Sequence, residues 1–195
     1  LALALTFAAG PSQAQGLMGD VLAGKLVNPE PGVFAWYDLT DTVAQRVFYV
    51  RQAVVGEEKV ERKTGYWIET EVVPQVGFPA VYKMLLTGPA SDPENLHRLI
   101  VREGRGPAEE LPRPPKDSQE KAAEPPRESL GKEKIATPQG EIEAEHFVWE
   151  ASGKKTELWL SDAVPPMGIV RMVSPDGEMV LRRYGKGGKD GQSAL

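Results

Sequence analysis

Ten short runs of β-branched and aromatic residues, separated by turn residues, limit the possible folds of this chain most strongly. Such side chains suit the half-buried surface of a sheet, and the hairpin-like spacing predicts antiparallel strands rather than βαβ units. Turns such as Pro175-Asp176-Gly177 combine a preset φ with a residue that tolerates positive φ. The ten predicted strands cover residues 33–37, 44–55, 65–73, 80–88, 96–104, 132–138, 140–150, 154–161, 168–173 and 178–184.

Polar and apolar residues alternate within several of these runs. In 65–73, Tyr66 and Ile68 share one face, while Glu69 and Glu71 occupy the other. Successive strand residues point to opposite sides of a sheet, so this pattern indicates one buried and one solvated face. We therefore predict a mainly β fold, a single strongly curved antiparallel sheet or half-barrel of about ten strands with a short N-terminal helix at 16–26.

The run 140–150 changes character along one face. Glu141, Glu143 and Glu145 indicate solvent, but Phe147 and Trp149 continue the same face. Two explanations are open: something covers the sheet at the aromatic end, or a bulge intervenes.

A curved sheet with one apolar face must cover that face, and the chain offers little helix to do so. Either the sheet closes on itself, or its concave face accepts an apolar ligand. Strand alternation suggests the side chains that would line such a site. The candidate ligand-binding residues are Tyr66, Ile68, Tyr82, Met84, Ile142, Val148, Leu158 and Met172.

The first residues of the chain differ from the rest. Residues 1–9 form an uncharged apolar run, and small residues at Ser12 and Ala14 fit a secretory cleavage site. The charged n-region and initiator Met of a signal peptide are missing, so we interpret 1–14 as a truncated signal peptide; a short buried helix is the alternative. We expect a soluble protein that is periplasmic or secreted.

Composition narrows the function classes. The formal net charge is −5 and Lys and Arg are not clustered, which argues against nucleic acid as a partner. No apolar run is long enough to span a membrane. The chain has no cysteine, which excludes disulfides, thiolate metal sites and a cysteine nucleophile.

The segment 104–131 interrupts the strand pattern with six prolines and eleven charged residues. It offers too little apolar surface to offset the entropy of ordering, so we predict a disordered insertion. A polyproline strip that binds a protein partner is the alternative. We treat 15–195 as a single β domain, with a flexible glycine-rich tail at 185–195.

Motifs for catalysis or metal binding are weak. His97 and His146 lie in separate runs, whereas a metal site needs three or four converging ligands. Ser161-Asp162 lacks the strand–turn–helix context of a hydrolase nucleophile. We predict no catalytic residues, no metal and no cofactor.

The stretch 159–172, "WLSDAVPPMGIVRM", joins two strands through Pro165-Pro166 and Gly168. The prolines keep the link extended, and the glycine permits close re-entry into the sheet. We interpret it as a structural corner; whether Met167 at its tip also forms the rim of a pocket is open.

The second half of the chain resembles a pattern in uncharacterised exported bacterial proteins. That pattern has a Thr-Pro-x-Gly turn, a Trp-Leu-Ser strand, a Val-Pro-Pro-x-Gly corner and a final Leu-x-x-Tyr-Gly. The architecture of those proteins is similar to the outer-membrane lipoprotein carrier fold, a half-barrel around an apolar cavity closed by helices. The matching residues are Gly131, Glu133, Thr137, Pro138, Gly140, His146, Trp159, Ser161, Val164, Pro165, Pro166, Gly168, Leu181, Tyr184 and Gly185.

Two functional hypotheses follow. The first is a non-enzymatic exported protein that binds a lipid, a lipidated protein or another apolar ligand on the concave face of the sheet. The alternative is an envelope scaffold or interaction module that meets a protein partner through the sheet face or the Pro-rich insertion.

Overall fold

A computed structural model describes residues 26–90, 92–112, 127–151 and 153–195, which form one antiparallel sheet of eleven strands. Two single-turn 3₁₀ helices, Pro93–Asn95 and Lys189–Gly191, are the only helical elements among these residues. The strands are β1 Val33–Asp41, β2 Arg46–Val60, β3 Lys63–Pro74, β4 Ala80–Leu86, β5 Leu96–Glu103, β6 Glu109–Leu111, β7 Glu128–Thr137, β8 Gly140–Ala151, β9 Lys154–Leu160, β10 Ile169–Ser174 and β11 Gly177–Lys186.

The sheet consists of two meanders that meet in its middle. Its strand order is β6-β5-β4-β3-β2-β1-β11-β10-β9-β8-β7, so β1–β11 is the only neighbouring pair that is not consecutive in the chain. The sheet is not closed, and β6 and β7 are its edges. This confirms the prediction of a mainly β fold with a single antiparallel sheet. The half-barrel shape stays a prediction.

All ten predicted strands are present, and the strand that the sequence did not predict is β6. It lies in the Pro-rich segment, and its residues Glu109, Glu110 and Leu111 are exposed. Without an apolar residue that alternates with polar ones, the run gives no strand signal. Backbone pairing with residues 99–101 of β5 forms it instead.

The core contains side chains from both meanders. Tyr37 of β1, Val50 of β2 and Leu181 of β11 are almost completely buried at the centre, where the two meanders join. The register places Tyr37 opposite Val50 on one side and Leu181 on the other. Pairing of β1 with β11 therefore gives the two halves one shared core.

Several predictions concern the ends and the middle of the chain. The truncated signal peptide at 1–14, residues 16–25 of the N-terminal helix and the middle of the insertion at 113–126 lie outside the described residues. At its ends, the insertion was predicted wrongly as disordered: β6 occupies 109–111 and β7 begins at Glu128.

The tail at 185–195, for which the composition predicts flexibility, lies against the sheet. The β11 strand continues to Lys186, and the following residues form hydrogen bonds to Arg51 and Glu69. Composition alone does not show such contacts, because three of them use main-chain atoms of the tail.

Candidate functional site

The β7–β8 hairpin extends past its neighbour β9. The β8–β9 pairing begins at Glu145 opposite Leu160, so residues 140–144 of β8 pair only with β7. We call the projecting part, residues 133–144, the arm. Its turn reaches β11, where the Tyr184 backbone N–H donates to Gln139 Oε1 at 2.9 Å. In a flat sheet β7 and β11 would be about 19 Å apart, so the arm bends back across the sheet.

The segment 161–168, the corner, connects β9 to β10 near the arm. The Ser161 N–H donates to the Gly168 carbonyl at 2.7 Å and closes the loop. The Val27 N–H donates to the Pro166 carbonyl at 2.8 Å, which ties the residues before β1 to the corner. Gly168 has φ +75°, and a Cβ there would lie 3.1 Å from Val27 Cγ2. Gly168 is therefore favoured by its positive φ and by its approach to Val27, a contact that the sequence did not suggest. The prediction of an extended link is wrong, because the Val164 N–H donates to the Ser161 carbonyl at 3.1 Å and the Gly168 N–H to the Val164 carbonyl at 2.8 Å, which folds the corner into turns.

The arm and the corner border an open pocket of about 520 Å³, which we call the arm–corner pocket. Met167 is buried and lines it, so the corner is both a bend between strands and a wall of the pocket. The apolar lining residues are Val27, Ile142, Phe147, Leu160, Ala163, Met167 and Tyr184, with Gly168; the polar ones are Lys132, Glu141, Glu143, Glu145, Ser161 and Asp162.

Three glutamates of β8 that alternation assigns to solvent line this pocket. Glu143 forms an ion pair with Lys132 at 3.2 Å, and Glu145 accepts a hydrogen bond from Ser129 Oγ at 2.7 Å. Glu141 pairs with Lys134 at 3.4 Å. At the change from glutamates to Phe147 on this face, the β7–β8 pairing has a bulge between Ser129 and Gly131, opposite Phe147 and His146, while the β8–β9 pairing is regular.

The predicted ligand-binding residues do not converge on this pocket. Ile142 alone of the eight lines it. Ile68, Met84, Leu158 and Met172 are buried in the packed core, and Tyr66 packs against that core. Tyr82 and Val148 are half-buried. Burial raises the pKa of the Tyr82 hydroxyl, and the nearby Glu103 carboxylate adds to the shift. A ligand-binding role for these seven residues stays a prediction.

The lining residues that the sequence did not suggest come from parts distant in the chain. Lys132, Asp162 and Tyr184 belong to β7, the corner and β11, and only the bend of the arm brings them together. The local signal that could have indicated the pocket is the presence of alternating glutamates and an aromatic residue on one face of β8.

His146 lies outside the pocket, between two carboxylates. Its Nδ1 is 3.1 Å from Glu133 Oε1, and its Nε2 is 2.9 Å from Glu157 Oε2. The ring stacks on Trp159 with centroids 4.2 Å apart, and the Trp159 indole donates to Glu133. Hydrogen bonding from Lys155, more than that from His146, holds the pKa of Glu157 below its usual value.

The described residues contain no cluster of three or more histidine or carboxylate side chains placed to hold a metal ion. His97 lies far along the chain from His146, in β5, within 2.9 Å of Thr87 Oγ1. Within the described part of the chain, no helix has the length and apolarity needed to cross a bilayer.

Sequence and structure comparisons give only distant similarities. No protein-family model matches the chain, and no curated protein matches it in sequence. A provisionally assigned lipoprotein from Parabacteroides distasonis has a similar structure, with 12% identity and a TM-score of 0.45, covering 83% of this chain and 99% of that one. A provisionally assigned exported protein from Bacteroides fragilis with a YmcC-like fold has 11% identity and a TM-score of 0.43, covering 84% and 100%. These values are too low to establish a family or a shared function, so the resemblance to lipoprotein carriers stays a prediction.

Proposed function

We propose that this chain is a non-enzymatic exported protein, periplasmic or secreted, which binds a lipid or another amphipathic ligand in the arm–corner pocket. The proposal keeps the ligand class expected from the sequence but moves the site from the sheet face to the space between the arm and the corner. The signal-like run at residues 1–9 supports export.

One observation carries the proposal: the bent arm leaves a pocket of about 520 Å³ between itself and the corner. Small-molecule sites typically have volumes of about 300–1,000 Å³ and combine apolar walls with a few polar groups. By contrast, Ile68, Met84 and Leu158, which alternation places on the apolar sheet face, pack against other core residues.

The pocket has an apolar wall and a charged rim. Met167 and Ile142 are buried, while Glu141, Glu143 and Asp162 are exposed to solvent. Such a division suits a ligand whose chain contacts the apolar wall and whose polar group stays near water. It therefore favours a single-chain lipid over a wholly apolar molecule.

Native mass spectrometry tests this function directly. The protein is purified without detergent, measured, then delipidated and offered a monoacylglycerol. We expect either a co-purified ligand mass or stoichiometric uptake of the monoacylglycerol. An apo mass after gentle purification together with no uptake would contradict the proposal.

A further inference from the structure

The end of the chain lies across β2 and β3, outside the arm–corner pocket. Arg51 Nη1 donates to the carbonyl oxygens of Asp190 and Gln192 at 2.8 and 2.9 Å. The Arg51 side chain is only 3% exposed, and it also pairs with Glu69 and Glu71. A buried guanidinium therefore donates hydrogen bonds to two main-chain carbonyls of the tail.

Glu69 completes the recognition of the same segment. Its Oε1 accepts from the Ala194 backbone N–H at 2.7 Å, and its Oε2 accepts from Ser193 Oγ at 2.6 Å. A donor from Arg51 and an acceptor from Glu69 thus face the main chain of one short segment. This arrangement recognises backbone more than side chains.

One tail side chain adds specificity. Asp190 accepts two hydrogen bonds from Arg183, at 2.6 and 2.9 Å, and one from Trp36 Nε1 at 2.9 Å. Hydrogen bonding from Arg183 is the main reason why the pKa of Asp190 lies below its usual value. We call the site formed by Trp36, Arg51, Glu69 and Arg183 the tail groove.

The connection between the sheet and the docked segment is made of two glycines. Gly187 and Gly188 have φ values of +85° and +65°, and a Cβ at either would meet no atom within 4 Å. Glycine adopts these conformations without a steric penalty. The segment after Lys186 can therefore leave the groove without disturbing β11.

We propose that the tail groove is a peptide-binding site, which residues 189–194 occupy in cis and from which a segment of a partner protein displaces them. That segment adopts the same conformation, a single 3₁₀ turn followed by extended residues. The partner segment carries a carboxylate followed three residues later by a hydroxyl, as Asp190 and Ser193 do. This proposal does not depend on the arm–corner pocket.

The tail competes with any partner as a tethered ligand. A segment on a short flexible linker has an effective concentration in the millimolar range. A partner segment therefore displaces residues 189–194 only if it binds the groove more tightly than they do, or if a substitution weakens the binding of the tail.

Tail-weakened variants of the full chain allow a test. A Cβ at Gly191 would lie 2.3 Å from the Gly32 carbonyl oxygen, so Gly191→Ala forces the tail to move. Asp190→Lys is the second variant, and it removes the contacts with Arg183 and Trp36. Asp190 lies beyond the last strand. The probe is a fluorescently labelled, acetylated peptide with the sequence of residues 187–195. Its binding to each variant is measured by fluorescence anisotropy.

We expect both variants to bind the peptide, and the unchanged chain to bind it at least about tenfold more weakly because its own tail competes. Adding Arg183→Gln, or replacing the peptide's aspartate with asparagine, should weaken binding by about tenfold as a charge-assisted pair is lost. Absence of binding to both tail variants overturns the proposal. Binding that is affected neither by Arg183→Gln nor by the asparagine in the peptide would also overturn the proposal.

Discussion

Arg51 and Glu69 form an ion pair in which both side chains are almost completely buried, with exposures of 3% and 0%. Removing one partner from a buried pair typically costs about 3–5 kcal/mol, because the other charge stays in the interior. We expect Arg51→Met to lower the free energy of unfolding by this amount, measured by urea denaturation.

The double variant Arg51→Met/Glu69→Leu serves as the control. Since it removes both charges, it should recover at least half of the loss. A single variant within about 1 kcal/mol of the unchanged chain would show that the pair is solvated rather than buried.

Tyr37 contributes a buried hydroxyl that has no hydrogen-bond partner among the described residues. A buried polar group without a partner costs about 1–3 kcal/mol, so its removal should be favourable. We expect Tyr37→Phe to raise the free energy of unfolding by about 1 kcal/mol. A decrease in urea denaturation experiments would instead mean that the hydroxyl forms a stabilising hydrogen bond.

Tyr37 also makes the stability of the fold depend on pH in the alkaline range. Burial raises the pKa of the Tyr37 hydroxyl above its ordinary value of 10.0. The unfolded chain therefore loses this proton at a lower pH than the folded chain, and stability falls as pH rises above about 10. In thermal melts between pH 9 and 11, Tyr37→Phe should lose less stability than the unchanged chain. Parallel losses in the two proteins would argue against this role of Tyr37.

The rim of the arm–corner pocket should discriminate between ligand head groups. Glu141, Glu143, Glu145 and Asp162 line it, together with one cation, Lys132. Lys134, which pairs with Glu141, adds a second cation beside the rim. The acids still outnumber the cations, so the local field is negative at neutral pH.

For acyl chains of equal length, we expect an amine head group to bind about five- to tenfold more tightly than a carboxylate in calorimetry at low salt. The difference should shrink at 1 M NaCl, where charges are screened beyond about 3 Å. Tighter binding of the carboxylate would contradict a rim dominated by these acids.

The sequence predicted the strands well because their signal is local. In β3, alternation of Tyr66 and Ile68 with Glu69 and Glu71 depends only on the pleat of one strand. The solvated face that this alternation predicts is wrong at Glu69, which is buried and bonded to Ser193 and Ala194 of the tail. The β6 strand has no such alternation, and its pairing with β5 depends on backbone hydrogen bonds that composition does not encode.

The site was less predictable because its position depends on tertiary structure. Glu141, Glu143 and Glu145 form a typical solvent-facing pattern, and only the bend of the arm turns them toward the corner. The tail shows the same limit. Its glycines and polar residues are typical of a frayed end, but Arg51, about 140 residues earlier in the chain, holds it.

Adjacent residues of β8 give the sharpest test of ligand binding in the arm–corner pocket. Phe147 and Val148 are both half-buried, but Phe147 lines the pocket and Val148 does not. The measurement is the titration of each full-length variant, Phe147→Asp and Val148→Asp, with a fluorescent monoacylglycerol. Circular dichroism first verifies that both variants keep the sheet.

We expect Phe147→Asp to weaken binding at least tenfold, because a charge replaces part of the apolar wall, and Val148→Asp to bind like the unchanged chain. Equal binding by the two variants, or a larger loss for Val148→Asp, would contradict the placement of the ligand between the arm and the corner.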